Sequence, residues 1–181
     1  MNKMVYRLMS VIVAFALTLG VYSSAGASSP SAPLMSPIAY YVSVNGNDAN
    51  AGTSAATAWK TLSKVRSRTY SAGDKILLEA GKVWSEGTFT FPSSGITLGR
   101  YGTGANPVIN STTGVAIKIT GRSNVTIDGI DILSATSGNG IAIMDSSFVT
   151  IRNIYITRVN SESGAISINS TASNLTHDIL I

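Results

Sequence analysis

A pattern of alternating apolar residues returns three times in the second half of this chain. Its copies occupy residues 124–132, 148–156 and 174–181, so successive copies start 24 and 26 positions apart. A repeat this short cannot bury a hydrophobic face alone, and stacking against its neighbours gives such a chain a continuous core. The period therefore predicts a solenoid.

Each copy contains two apolar stretches separated by a residue that favours a bend. The bend residues are Gly129, Asn153 and Asp178, whose residue types tolerate a left-handed backbone. Further alternating stretches, at 114–119, 140–143 and 164–168, recur with nearly the same period and supply a third strand. Three strands per coil predict an all-β fold, a parallel β-helix with about 24–26 residues per coil.

The period also predicts which side chains lie above one another in neighbouring coils. The predicted inward columns are Val125 over Val149, Ile130 over Ile154 over Ile179, and Ile117 over Ile141 over Ile166. The predicted outward ladder is Thr126, Thr150 and Thr176. Such columns would fill one interior that runs through all the coils.

Residues 1–27 have the composition of a secretory signal peptide, with a basic start, an apolar run at 8–21 and the small residues Ala25 and Ala27 before the cleavage site. Cleavage there makes Ser28 the first mature residue and predicts a secreted or periplasmic protein that leaves the membrane. An uncleaved anchor is the competing interpretation, but the apolar run is short for the roughly 20 residues of a spanning helix.

The charge of the chain gives little support for nucleic-acid binding. The net charge is +4, but loss of Lys3 and Arg7 with the signal leaves 11 basic and 9 acidic residues. The local group of basic residues is Lys60, Lys64, Arg66 and Arg68. These residues fall on one short predicted helix, where such charges usually form a solvated face, so no nucleic-acid partner is predicted.

Composition divides the remaining chain into three segments. Residues 28–38 are rich in Ser, Ala and Pro and are predicted to form a flexible leader. Residues 39–72 are predicted to hold an N-terminal strand, a loop and a capping helix, and residues 73–181 the coils of the β-helix. With no cysteine in the chain, its stability is expected to come from the stacked interior rather than from disulfides.

The two ends of the predicted solenoid differ. A helix over residues 58–65 places Trp59, Leu62 and Val65 on one side, where they can plug the first coil. At the other end the chain stops at Ile181 inside an apolar strand, without a polar terminal repeat. Solenoids need such caps, so a truncated C-terminal end is predicted, and a partner chain covering that end is the alternative.

Four segments of the first half follow a pattern shared with a known protein family. They are Tyr-Tyr-Val-Ser-Val-Asn-Gly-Asn-Asp at 40–48 with its continuation to 54, Ala-Trp-Lys-Thr-Leu at 58–62, Gly-Asp-Lys-Ile-Leu-Leu-Glu-Ala-Gly at 73–81, and residues 91–109. They resemble the N-terminal region of bacterial exported right-handed parallel β-helix proteins of the pectate-lyase-like superfamily. The resemblance implies a polysaccharide partner, but this superfamily includes lyases, glycoside hydrolases, epimerases and proteins without assigned chemistry.

A lyase of this type needs a Lys or Arg base and usually calcium, held by several carboxylates on neighbouring coils. The outward column Lys118, Ala142 and Ser167 contains no carboxylate. The acidic residues left in the repeats are Asp128, Asp131 and Asp145, with Asp131 predicted to head an outward column continued by Tyr155 and Leu180. Such isolated Asp residues typically stabilise turns, so no metal or cofactor site is predicted in this chain, and calcium is an option only for a longer, full-length protein.

No residue of the chain is assigned a catalytic role. Four bases could face a polyanion, although isolated surface bases are usually only solvated. They are Lys118, Arg122, Arg152 and Arg158. The single histidine, His177, lies where the third copy is one residue shorter, so the pattern leaves its inward or outward direction open.

Two functions remain as hypotheses. The first is an exported polysaccharide-processing enzyme, a uronate polysaccharide lyase whose catalytic coils lie beyond Ile181, which predicts that this chain alone is inactive. The second is a non-catalytic carbohydrate-binding or structural solenoid on the cell surface, favoured by outward columns without carboxylates. A full-length protein is predicted to be a monomer.

Overall fold

The structure is a computed structural model, and it describes residues 36–134, 138–158, 164–171 and 176–181, all in one compact unit. The predicted signal peptide, with Ala25, Ala27 and Ser28, lies outside these described residues, as does most of the predicted leader. The segmentation into leader, cap and coils therefore remains a prediction.

The described residues are almost entirely β-structure. In chain order the strands are β1 (Ala39–Val42), β2 (Lys75–Glu79), β3 (Val83–Glu86), β4 (Phe89–Thr90), β5 (Thr97–Tyr101), β6 (Val108–Ser111), β7 (Ile117–Thr120), β8 (Ser123–Asp128), β9 (Asp131–Ser134), β10 (Ile141–Met144), β11 (Ser147–Arg152), β12 (Ile156–Arg158), β13 (Ile166–Asn169) and β14 (His177–Leu180). A short 3₁₀ turn, Ala55–Thr57, and one helix, α1 (Leu62–Arg66), precede β2.

The strands stack into three parallel sheets. Sheet A has the order β1-β2-β5-β8-β11-β14, sheet B the order β12-β9-β6-β3, and sheet C the order β13-β10-β7-β4. The chain visits the sheets in turn, so that β2–β4, β5–β7, β8–β10 and β11–β13 each form one coil. This arrangement confirms the predicted parallel β-solenoid.

The stacked apolar columns confirm most of the predicted register. Val125 pairs with Val149, and Ile141 pairs both with Ile117 and with Ile166. Along β8 and β11 the inward positions are buried while the alternate positions remain partly or fully exposed. Period-two alternation on one-sided strands thus produces the continuous core that the sequence predicted.

The predicted register of the third copy is wrong. Ile179 pairs with Val149 rather than lying over Ile154, and Leu180 pairs with Thr150, which removes Thr176 from the ladder and Leu180 from the Asp131 column. Paired residues are here 30 positions apart because the connection between β13 and β14 is longer than its counterparts. The two registers differ by five residues, one of them the bend residue Asn153, so Ile179 takes an inward position in either register and the pattern could not reveal the extra residues.

The bend residues Gly129, Asn153 and Asp178 all have positive φ, at 70°, 54° and 54°. Gly129 follows β8 and Asn153 follows β11 at equivalent places. Asp178, however, lies inside β14, opposite Phe148. Its left-handed backbone was predicted, but its position in the coil was not.

The segment before β2 covers the first coil. Strand β1 extends sheet A by pairing with β2, and the side chains of Trp59, Leu62 and Val65 are all buried, as predicted for a plug. The predicted helix starts too early, however, because Trp59 forms a parallel bridge with Val42 and only Leu62–Arg66 is helical. Among the described residues no helix has the length and hydropathy needed to cross a bilayer.

Polar groups fix α1 on the exposed edge of the first coil. Glu86, at the end of β3, accepts hydrogen bonds from the backbone N–H groups of Leu62 (2.8 Å) and Ser63 (3.1 Å). The Arg66 guanidinium donates to the Thr88 carbonyl oxygen. Arg68 lies 4.8 Å from the centre of the Tyr40 ring and donates to its hydroxyl at 3.0 Å. Arg66 and Arg68, which were predicted to lie on a solvated helix face, therefore hold the segment before β2 in place through these contacts.

Candidate functional site

The outward face of sheet A presents two rows of side chains. One row runs from Lys75 through Thr97 and Thr126 to Thr150, each residue paired with the next. In the second row Leu77 of the first coil pairs with Gly99 of the second. Asp128 of the third coil pairs with Arg152 of the fourth. Parallel stacking of the coils brings these rows together, since each coil adds one residue to each row.

All of these residues except Thr150 line an open cleft of about 540 Å³ and form its floor. Its polar lining includes Lys75, Thr97, Arg100, Asn106, Asp128 and Arg152. Gly99 and Gly129 contribute no side chain and so leave the floor low. Three cationic groups thus share the cleft with a single carboxylate among the residues that line it.

That carboxylate, Asp128, is fully engaged by the next coil. Its Oδ2 atom accepts from Arg152 Nε at 3.0 Å and Nη2 at 2.9 Å, and its Oδ1 atom accepts from Asn153 Nδ2 at 2.8 Å. The hydrogen bonds from Asn153 and Arg152 lower the pKa of Asp128 below its ordinary value of 3.8. Asp128 is therefore ionised at neutral pH and acts as a structural acceptor.

Asn106, on the loop between β5 and β6, joins the cleft to sheet B. Its Nδ2 atom donates to Asp131 Oδ1 at 2.8 Å and to the Asn153 carbonyl oxygen at 3.1 Å. Asp131 Oδ1 also accepts from the Tyr155 backbone N–H at 3.1 Å. Tyr155 follows Asp131 in the next coil, as predicted, and its side chain is exposed. These hydrogen bonds link the loop between β5 and β6, which borders the cleft, to the two coils that follow it.

Arg100 reaches across the bend that follows β8. A Cβ atom at Gly129 would lie 3.3 Å from both Cδ and Nε of Arg100, so the missing side chain makes room for this arginine. Arg100 Nη1 donates to the Gly104 carbonyl oxygen at 2.9 Å. The side chain remains exposed, so the rest of its guanidinium is open to a ligand.

The carboxyl ends of β1, β2 and β5 carry aromatic and acidic side chains. The rings of Tyr41 and Tyr101 meet edge to face with centroids 5.0 Å apart. Beside them the Ser43 hydroxyl donates to Glu79, whose other oxygen lies 3.9 Å from Lys82 Nζ. Burial, and then the Glu79 carboxylate, raise the pKa of Tyr101 above its ordinary value of 10.0. Glu79 and Tyr101 thus lie on the same strands, β2 and β5, that carry the cationic Lys75 and Arg100.

The other residues that the sequence singled out lie elsewhere. Lys118, Ala142 and Ser167 form the predicted outward column, on sheet C. Asp145 accepts from the backbone N–H (2.7 Å) and hydroxyl (3.0 Å) of Thr171, a tie to the next coil rather than a ligand site.

Two further side chains are now placed. Arg122 Nε donates to the Phe91 carbonyl oxygen at 3.1 Å, and His177 is exposed on the terminal strand β14 with its ring beside the Asp178 carboxylate. The side chain of Arg158 falls outside the described residues.

The cleft does not offer the ligands that calcium prefers. Calcium takes six to eight oxygen ligands, with carboxylates prominent among them, whereas both oxygens of Asp128 already accept from Arg152 and Asn153. Across the described ranges, no cluster of three or more His, Cys, Asp or Glu residues forms. Calcium binding elsewhere in a longer protein stays a prediction.

Sequence reasoning missed Lys75, Arg100 and Asn106 as members of this site. Carboxylates were expected on outward columns of sheets B and C, and the ladder predicted on sheet A through Thr126 and Thr150 was not extended back to Lys75. The signal was nevertheless present, because Thr126-Ile-Asp and Thr150-Ile-Arg occupy equivalent places in two copies and so align Asp128 with Arg152. No repeat reaches back to Arg100, since β2 and β5 lie in the less regular first half.

No family model matches the chain, and no curated protein matches its sequence. Solved structures do resemble it. The GH136 lacto-N-biosidase from Eubacterium ramulus matches with a TM-score of 0.65 and 21% identity over 74% of this chain and 30% of the enzyme in its selenomethionine derivative. The native protein gives 0.64 and 20%, over 75% and 31% of the two chains. A rhamnogalacturonan lyase matches with a TM-score of 0.51 and 17% identity, over 66% of this chain and 36% of that one.

The chain spans about a third of the length of these solved structures. At such low identity the matches establish a shared fold, so this β-solenoid has structural neighbours among carbohydrate-active enzymes of two reaction types.

Proposed function

We propose that this chain binds an acidic polysaccharide, a polymer containing uronate residues, along the outer face of sheet A. The observation that carries the proposal is the charge of the cleft: Lys75, Arg100 and Arg152 line it, and its single carboxylate is neutralised by Arg152. A uronate residue brings one carboxylate per sugar, which the exposed Lys75 and Arg100 can pair with. Hydroxyl groups of the Thr97 and Thr126 row offer hydrogen bonds beside them.

The state of Asp128 argues against hydrolysis in this cleft. Glycosidases that use two carboxyl groups need a general acid whose pKa is raised, so that it still holds a proton near neutral pH. The pKa of Asp128 is lowered, and both its oxygens accept hydrogen bonds within the protein. The cleft is therefore suited to holding an anion rather than to protonating a glycosidic oxygen.

For the whole protein we propose export and β-elimination of a uronate polymer, in which a base removes the proton next to the sugar carboxylate and cations stabilise the resulting charge. Non-catalytic binding is the second candidate, favoured by the complete engagement of Asp128 within the protein. Incubation of the full-length protein with pectate, alginate and chondroitin separates them. Unsaturated, ultraviolet-absorbing products support the lyase, and binding without products supports the second candidate.

The binding claim is tested by removing the free cations of the cleft. Lys75→Gln and Arg100→Gln should each weaken binding of oligogalacturonate, measured by calorimetry at low salt, by about three- to tenfold. Lys118→Gln is the matched control, since Lys118 is an exposed lysine on sheet C. Equal effects from Lys75→Gln and Lys118→Gln would show general charge attraction and contradict a site on sheet A.

A further inference from the structure

Three successive coils place a left-handed residue at the same point of sheet A. Ser123, Ser147 and His177 are in register, and so are Val125, Val149 and Ile179. The residues between them are Asn124, Phe148 and Asp178, with φ of 54°, 51° and 54°. The coil itself therefore requires a positive φ at this point.

Of the three residues in this column, Phe148 is the one whose side chain least suits a left-handed backbone. Asn and Asp adopt the left-handed conformation more readily than other non-glycine residues, whereas a bulky residue is strained there. Burial does not compensate for the strain, because the Phe148 side chain is 53% exposed. Its ring meets the His177 ring edge to face, with centroids 5.6 Å apart. An aromatic ring is thus held in solvent at a position where the backbone favours a small polar residue.

Phe148 lies on a strand that also supplies Arg152 to the cationic cleft. Phe148 precedes the inward-facing Val149 on β11, and the same strand continues to Thr150 and Arg152, which belong to the outward rows described above. At about 3.3 Å per residue, Phe148 and Arg152 are roughly 13 Å apart along the strand. One extended oligosaccharide could therefore contact both.

We propose that Phe148, supported edge-on by His177, is an aromatic platform on which a sugar ring of the bound polysaccharide stacks. The proposal rests on the proposed function and adds a subsite to it. One face of a pyranose ring consists largely of C–H groups and packs on an aromatic face, while its hydroxyl groups stay in water. Strain kept at an exposed position, without compensating burial, is typical of a side chain retained for binding.

The test uses substitutions with opposite expected effects on stability and affinity. Phe148→Asn installs the residue found at Asn124, so it should raise the melting temperature by roughly 2–4 °C. It should also weaken oligogalacturonate binding about five- to tenfold. Phe148→Tyr keeps the ring and should keep the affinity. Val83→Asn is the control, because it exchanges a half-exposed apolar side chain on sheet B and should leave affinity unchanged.

Unchanged affinity in Phe148→Asn would overturn the platform. A fall in its melting temperature would do so too, since Phe148 would then serve packing against His177. If the wild-type protein binds none of oligogalacturonate, alginate oligosaccharides or chondroitin oligosaccharides, the proposed polysaccharide binding itself is contradicted, and the platform with it. Binding that depends on Arg100 but not on Phe148 would leave the cleft intact and remove only this subsite.

Discussion

At the scale of single residues, Asp128 shows how a side chain in the cleft serves the solenoid. Its partners Arg152 and Asn153 come from the next coil, so the carboxylate links two coils. The side chains of Asp128 and Arg152 are 32% and 61% exposed, and solvent screening keeps the contribution of such a pair small. The same interaction occupies Arg152, which leaves Lys75 and Arg100 as the freer cations.

Asp128→Asn should therefore have two effects. The free energy of unfolding at pH 7 should fall by on the order of 0.5–1 kcal/mol. Affinity for oligogalacturonate should rise about two- to threefold, since Arg152 is released and a negative charge is removed. Urea unfolding and calorimetry measure the two effects. Weaker binding in Asp128→Asn would contradict the structural role given to this carboxylate.

The pH dependence of that stability difference has a definite sign. The folded protein lowers the pKa of Asp128 below 3.8, so unfolding takes up protons in acid, where the unfolded carboxylate is protonated more readily than the folded one. Its stabilisation is fully present above the ordinary pKa and is lost as the pH falls through the lower, folded-state pKa. The wild type should thus exceed Asp128→Asn in stability at pH 7, and the difference should shrink in acid below about pH 4. A stability difference between wild type and Asp128→Asn that grows as the pH falls would contradict a lowered pKa for Asp128.

At the scale of elements, the helix α1 depends on a carboxylate from another strand. With five residues it is too short to be stable alone, and Glu86 supplies acceptors for two of its first N–H groups. Glu86→Ala should lower the free energy of unfolding by about 1–2 kcal/mol and speed amide exchange in α1. Glu86→Gln, which keeps one acceptor, should lose less. Equal stability of Glu86→Ala and wild type would show that packing of Leu62 and Val65 suffices.

The elements also show what the sequence could and could not predict. Strand β2 and the inward columns through Ile117 and Ile141 follow from alternation and a constant period. The register of Ile179 does not, because an extra length of loop leaves the alternation unchanged. The helix started later than predicted because β1 uses the backbone of Trp59, a long-range interaction that a local pattern does not contain.

Prediction of the cleft failed for a similar reason. Thr126, Asp128 and Arg152 come from the aligned copies, but Lys75, Arg100 and Asn106 come from the first half, where the repeat is irregular. Their proximity depends on how β2 and β5 join sheet A, which the pairing of strands decides. Sequence alone therefore predicted the solenoid, but not the residues of the cleft at which we propose that a polysaccharide binds.

At the scale of the whole molecule, the charge of the cleft matters more than the net charge. The predicted mature chain carries only two more basic than acidic residues, so general attraction to a polyanion is weak. Local pairing is screened by salt over about 10 Å at 0.1 M ionic strength. Binding should therefore weaken as salt is raised, yet depend on Lys75 and Arg100 rather than on distant bases.

Export is the other expectation at this scale. Expression of the chain from its first residue in a bacterial host should yield a processed protein that begins at Ser28, outside the cytoplasm. Intact mass and N-terminal sequencing of the periplasmic and secreted fractions measure this. An unprocessed chain retained in the membrane fraction would favour the anchor interpretation over the cleaved signal.

Above all, we propose that sheet A recognises the carboxylates of a polysaccharide. The most direct measurement compares, by calorimetry in one buffer, the affinity of the protein for polygalacturonate and for the same polymer after methyl esterification. Esterification removes the charge and keeps the chain of sugar rings, so we expect binding at least about tenfold weaker. Equal affinity for the two polymers would contradict carboxylate recognition and leave only a neutral, shape-based contact.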